Sequence, residues 1–192
     1  MKHSLGPDHF KRLYESSPDP WDLAGSSYEA AKYQHTLDML GDRHFAAGLE
    51  VGCAIGVLTR RLAPRCDALL AIDVVEEPLR SARARCADLA QVRFARMQAP
   101  LEWPDQIFDL IVLSEILYFL SSDDVEYCAR RVAKSTRQNA VLLLVNWLGQ
   151  TDDPNTGDEA AYIFIEAAAD IFRLEQAERT DRYRIDQLIR TS

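Results

Sequence analysis

From about residue 46 onward, short and mostly apolar runs alternate with stretches whose apolar residues recur every three or four positions. Ala46–Val51, Leu69–Ile72, Val92–Met97, Phe108–Leu113 and Ala140–Val145 read as buried strands. Between them, Leu58 and Leu62 begin one helical stripe. Leu79, Ala82, Cys86 and Leu89 form a second, and Val125, Cys128, Ala129 and Val132 a third. Glu76 and Glu77 fall in the first turn of the second helix, where the helix dipole favours anions. The turn-rich stretch Gly149–Gly157 reads as a solvent-exposed loop, and a helix from about Asp158 to Ala169 follows. The segments 172–178 and 182–189 alternate apolar and polar residues around Thr180-Asp181, the pattern of an antiparallel hairpin at a sheet edge. Strand–helix alternation of this kind predicts a mostly parallel sheet with helices on both faces.

Residues 1–45 come before that alternation. Asp8–Ser16 predicts a short helix, which Ser17-Pro18-Asp19-Pro20 breaks. A second helix, capped by Ser26 or Ser27, runs to about Leu40 and stops at Gly41. Tyr28, Ala31, His35 and Met39 share one of its faces; Tyr33, Leu37 and Leu40 share another. The segment is either a helical lid over a ligand or packing for the sheet edge. With no repeats or low-complexity tracts, residues 1–192 are expected to form a single domain, with the α/β core spanning 46–192.

Composition narrows the partners. A length of 192 residues with 47% hydrophobic content supports a sizeable core. The net charge of −8 argues against a nucleic-acid backbone as partner. Met1–Pro7 carries no apolar signal core, and no run approaches the roughly 18 apolar residues of a membrane span. Cys53, Cys66, Cys86 and Cys128 are scattered, as expected for reduced thiols in a cytoplasmic protein, and the four histidines show no metal-ligand spacing. No metal is expected.

The candidate chemistry centres on Leu49–Thr59. Glu50 stands two residues before Gly52, and Gly56 follows in a Gly-x-x-x-Gly turn around Cys53. A dinucleotide site needs a middle glycine, but Ala54 is there instead. A carboxylate at this corner repels phosphate and attracts an ammonium or sulfonium group. The pattern resembles the first motif of the class I S-adenosylmethionine (SAM)-dependent methyltransferases. In an open α/β sheet, ligands bind at the carboxyl ends of the strands. Asp73, with Val74 after it, ends the second strand about 21 residues past Gly52, a spacing suited to a ribose-binding acid. Met97 and Gln98 end the third strand, positioned for the face and edge of adenine. Ser114, Glu115 and Tyr118 follow the fourth, where an acceptor atom has to meet the transferred group.

Other classes on this fold lack their marks here. There is no Asn/Asp-Pro-Pro-Tyr motif, no acidic triad for Mg²⁺, and no cysteine where the pyrimidine C5-methyltransferases place their nucleophile.

Asp19-Pro-Trp-Asp22, Ser27-Tyr-Glu-x-x-Lys-Tyr33, Leu49–Gly56, Phe108–Tyr118 and Gly157–Ala161 together resemble the NodS-type nodulation N-methyltransferases. The resemblance implies a three-layer, Rossmann-like class I methyltransferase fold, with a seven-stranded, mostly parallel sheet ending in an antiparallel hairpin. It implies SAM as cofactor, no metal, and an oligosaccharide acceptor: the free amine of the non-reducing-end glucosamine of a de-N-acetylated chitooligosaccharide. It further implies that the aromatic segment carrying Trp21, Tyr28 and Tyr33 closes over the cofactor and shapes the acceptor site. Glu115 is then the candidate to accept or orient the amine proton, with Tyr118 beside it. Two other readings stay open: the same fold acting on a different small acceptor, and a SAM- or nucleotide-binding module without transfer chemistry.

Overall fold

A computed structural model describes residues 3–191. Its seven strands are β1 (Gly48–Val51), β2 (Leu69–Asp73), β3 (Val92–Arg96), β4 (Phe108–Ser114), β5 (Thr136–Trp147), β6 (Phe172–Arg179) and β7 (Tyr183–Arg190). They form one sheet in the order β3-β2-β1-β4-β5-β7-β6. The first five are parallel, while β7 runs antiparallel between β5 and β6. Strand order reverses direction between β1 and β4, the crevice where ligands of such sheets bind.

Among the described residues six α-helices accompany the sheet: α1 (Pro7–Ser16), α2 (Ser27–Asp38), α3 (Val57–Leu62), α4 (Glu76–Arg85), α5 (Ser122–Lys134) and α6 (Gly157–Ala168). Their starts are chemically marked. The Ser26 hydroxyl accepts from the Glu29 N–H, and Ser121 accepts from the Asp124 N–H. Thr156 and Glu159 form a reciprocal capping box at α6.

The central strand β4 shows why the protein has three layers. Ile111 and Leu113 pack to one side with Val125, Cys128 and Phe164 of α5 and α6. Leu110 and Val112 pack to the other with Tyr33, Leu58 and Leu62 of α2 and α3. All four β4 residues are fully buried. Each such side chain contributes about 1.5–3 kcal/mol, so this strand fixes the floor of the crevice firmly.

Three expectations need correction. The strand expected from Ala140 starts at Thr136, because Arg137, Gln138 and Asn139 are exposed and give no apolar signal. Of the two α2 faces named from the sequence, neither is buried as a whole: the helix buries Glu29, Lys32, Tyr33 and Thr36, whereas Ala31 is exposed. The 149–157 loop is not wholly in solvent. Asn155 is buried and donates from Nδ2 to the Leu120 carbonyl at 2.6 Å, and Asp153 lines the crevice.

No helix among the described residues is long and apolar enough to cross a membrane. Nor do the described residues hold a group of three or more His, Cys, Asp or Glu side chains arranged to bind a metal ion.

Candidate active site

The carboxyl ends of β1, β2, β3 and β4 open into a cavity of about 740 Å³, roofed by α1, α2 and the segment between them. The turn after β1 supplies its floor. Gly52 adopts φ 81°, and its N–H and that of Cys53 donate to the Ile72 carbonyl at 2.9 and 3.1 Å. A Cβ on Gly52 would lie 2.2 Å from Ile116 Cγ2 and 3.2 Å from the Ser114 carbonyl oxygen. Only glycine fits there.

Gly56 is different. It does not line the cavity, and its φ of 78° serves instead as the N-cap of α3. A Cβ would stand 2.9 Å from both Cα and Cβ of Ala82, so Gly56 is required for the close approach of α4. Gly56 thus stands at the α3–α4 contact, outside the cavity wall. Cys53 lines the cavity, with burial holding its thiol well above the ordinary range.

Glu50 is 1% exposed and lines the cavity, and its Oε2 has no hydrogen-bond partner. Burial pushes its carboxyl up to about 7, opposed by the neighbouring Thr59 hydroxyl and aided by the negative charge of Asp73. An unpaired carboxylate oxygen beside bare glycine backbone suits a cationic ligand. Asp73 is better provided for. Its Oδ2 accepts from the Ala54 N–H at 2.9 Å and its Oδ1 from the Val75 N–H at 3.0 Å. Burial raises its pKa, and these donors oppose the rise. Both a turn role and a lone pair for a ligand hydroxyl therefore reside in one side chain.

Val74, Met97 and Gln98 also face the cavity, as do Trp21, Tyr28 and Tyr33. Trp21 stands edge-on to Tyr14 at 5.6 Å, and Tyr14, unremarked in the sequence, is buried beneath it. Ser114 and Tyr118 complete the β4 side.

Glu115 sits at φ 59°, a strained conformation for a residue with a side chain. Its Oε2 accepts from the Tyr118 hydroxyl at 2.8 Å and the Trp147 N–H at 3.0 Å. Its Oε1 accepts from Lys32 Nζ at 2.6 Å. Lys32, 3% exposed, donates also to Glu29 Oε1 at 3.0 Å. Burial alone would lower the Lys32 pKa, but the Glu115 and Glu29 carboxylates outweigh it and the net shift is upward. Lys32 and Glu29 were not singled out from the sequence as chemistry. The signals that could have found them are their place in the Ser27–Tyr33 stretch of the family resemblance and the helical face they share with Tyr33 and Thr36.

The family model described as Nodulation protein S (NodS) matches residues 8–144. The chain belongs to the NodS family. Within it, the nodulation protein S of Rhizobium tropici is 38% identical over 106 residues, 55% of this chain and 44% of that protein. The Bradyrhizobium diazoefficiens protein is 36% identical over 103 residues, covering 53% and 49% respectively. The chain spans about half the length of the curated NodS relatives it matches. A solved structure of the N-methyltransferase NodS from Bradyrhizobium japonicum WM9, in complex with S-adenosyl-L-homocysteine, aligns at a TM-score of 0.81 and 19% identity. That alignment covers 96% of this chain and 98% of the other, and it establishes a shared NodS fold.

Proposed function

We propose that this chain is a cytoplasmic SAM-dependent N-methyltransferase. Its proposed acceptor is the free amine of the non-reducing-end glucosamine in a de-N-acetylated chitooligosaccharide, and no metal takes part. The observation that carries this reading is Glu50 Oε2, buried and unpartnered at the glycine corner. That oxygen matches the ammonium of an amino acid tail, and Gly52 leaves the backbone bare for its approach. Membership of the NodS family and the family likeness of the Trp21–Tyr33 and Ser114–Tyr118 stretches supply the acceptor class.

SAM, when bound, supplies an electrophilic methyl group. The chain's own groups do the rest. Asp73 offers its remaining lone pairs to ribose hydroxyls, and Met97 and Gln98 offer a face and an edge to adenine. Trp21, Tyr28 and Tyr33 exclude water. A carboxylate has about four acceptor sites, and Glu115 uses three of them on Lys32, Tyr118 and Trp147. The fourth can orient an amine N–H. Holding an amine in line at a fixed distance lowers the barrier by about 7–11 kcal/mol in favourable cases.

Calorimetric titration with S-adenosylhomocysteine and with NAD tests the cofactor, with binding expected for the first alone. Labelled SAM offered with a panel of amines and hydroxyl acceptors then tests the acceptor. Transfer to a phenol or carboxylate, and none to an amino sugar, would replace the N-methyl reading with another small-molecule methyltransferase. Cofactor binding with no transfer at all would favour a binding module.

A further inference from the structure

The switch point divides the cavity into two halves. Glu50, Gly52, Asp73 and Met97 lie over β1–β3, whereas Tyr28, Glu29, Lys32, Glu115 and Arg182 gather over β4, β5 and β7. The second half contains a buried ionic group with an asymmetry. Glu115 takes three donors, but Glu29 takes only Lys32, at Oε1. Glu29 Oε2 is buried and without a partner, and so is the Tyr28 hydroxyl beside it in sequence. Glu29 as a whole is 8% exposed while contributing to the cavity wall.

The formal charges in this group are two carboxylates, the Lys32 ammonium and the Arg182 guanidinium. Lys32 donates to both carboxylates, whereas the Arg182 guanidinium lies over the Tyr28 ring, 3.4 Å from its centroid, so Glu29 Oε2 has no cationic donor of its own. A buried carboxylate oxygen without a donor is unfavourable until a donor arrives, and a cationic donor suits it best.

We propose that Glu29 is the specificity-determining residue of the acceptor half, its free Oε2 accepting an N–H of the acceptor's primary amine, and that Lys32 is the positioning residue holding Glu29 and Glu115 on either side of that amine. The assignment rests on the amine-acceptor reading above. It explains discrimination in a way Glu115 does not. An acetamide presents one neutral N–H and a bulky acetyl group, while an amine presents several N–H donors and carries charge when protonated. Lys32 stays charged between two carboxylates, so it serves as a fixed counter-ion.

The test is calorimetric binding to the full chain saturated with S-adenosylhomocysteine. The probes are chitotetraose with a free amine at its non-reducing end and fully N-acetylated chitotetraose. The wild type is expected to prefer the free amine by about ten-fold or more, about 1.4 kcal/mol. Glu29→Gln keeps the shape but not the charge, and should bring the two affinities within about two-fold while S-adenosylhomocysteine affinity holds. Lys32→Arg, which keeps the counter-ion, should retain the preference. If Glu29→Gln fails to fold, Glu29→Asp carries the test, because it withdraws the charge by one methylene and should lose part of the preference. An unchanged preference in a folded Glu29 variant, or equal weakening of both sugars, overturns the assignment alone. Wild-type binding of neither sugar, with S-adenosylhomocysteine bound normally, overturns the amine-acceptor reading and this assignment with it.

Discussion

Lys32 Nζ lies 2.6 Å from Glu115 Oε1, joining the second helix to the end of the central strand across 83 positions of chain. The lysine is almost wholly buried and bridges to Glu29 as well. One side chain thus fixes α2 over the crevice and fixes the orientation of the carboxylate below it.

Lys32→Met therefore removes the cation that Glu29 and Glu115 share. Breaking a buried pair by deleting one partner typically costs about 3–5 kcal/mol. The lower figure is expected, because the Glu115 side chain is 23% exposed and keeps its other two donors. Denaturant titration measures this. Adding Glu29→Gln to Lys32→Met should restore part of the loss, since fewer uncompensated charges remain. A loss below about 1 kcal/mol would class the bridge with ordinary surface pairs.

Glu50 gives a pH dependence with a definite sign. Burial raises its carboxyl from 4.5 to about 7 in the folded protein. The folded state thus holds this proton more tightly than the unfolded chain. The resulting stability is complete below pH 4.5 and is lost as pH rises to about 7. Above that, the buried charge costs about 3 kcal/mol. Glu50→Gln should therefore be more stable than the wild type above pH 7, with the difference vanishing towards pH 4.5. Cofactor binding should run the other way. An ammonium ligand takes the ionised carboxylate, so S-adenosylhomocysteine affinity should weaken as pH falls below about 7, and the Gln variant should bind poorly throughout. Thermal melts and titrations across pH 5–9 read both effects.

The two turn glycines should separate by what each Cβ would meet. At Gly52 the obstacles are Ile116 Cγ2 and the Ser114 carbonyl, at the cavity floor. At Gly56 they are the Cα and Cβ of Ala82, inside the α3–α4 contact. Both residues have positive φ, so alanine at either costs about 1–3 kcal/mol from the backbone alone. Gly52→Ala should also lose at least about ten-fold in S-adenosylhomocysteine affinity, or about 1.4 kcal/mol. Gly56→Ala, measured where it remains folded, should lose affinity by no more than about three-fold. Equal affinity losses would place Gly56 at the ligand after all.

How far the chain could be read in advance depended on where its signal was apolar. Strands such as Leu69–Ile72 and Phe108–Leu113 bury nearly every residue, so the runs announce themselves, and the sheet with its C-terminal hairpin follows. The start of β5 could not be seen, because Arg137, Gln138 and Asn139 pair as strand while facing water. The same reason hid the inward face of α2. A buried stripe of Glu29, Lys32 and Thr36 satisfies itself by hydrogen bonds and ion pairs between segments far apart in sequence, which no periodicity reports. Glu50, Asp73 and Glu115 were legible because strand ends of a parallel sheet converge on one crevice. Their partners were not.

Tyr118 is placed to position Glu115 rather than to take a proton itself. Burial, with the Glu115 carboxylate beside it, holds its phenol protonated far above neutral pH. Its hydroxyl donates to Glu115 Oε2, which fixes the carboxylate without titrating. Tyr118→Phe should therefore lower kcat by less than about ten-fold, with the pH–rate profile unmoved and KM for SAM unchanged. Glu115→Gln should cost about 10²-fold in kcat, within the usual span for a group that handles a proton. Were Tyr118 the base, its removal would instead erase the ascending limb of the profile and match or exceed the loss at Glu115. Steady-state kinetics of the two variants with a single amine acceptor, run from pH 6 to 9, separates these outcomes.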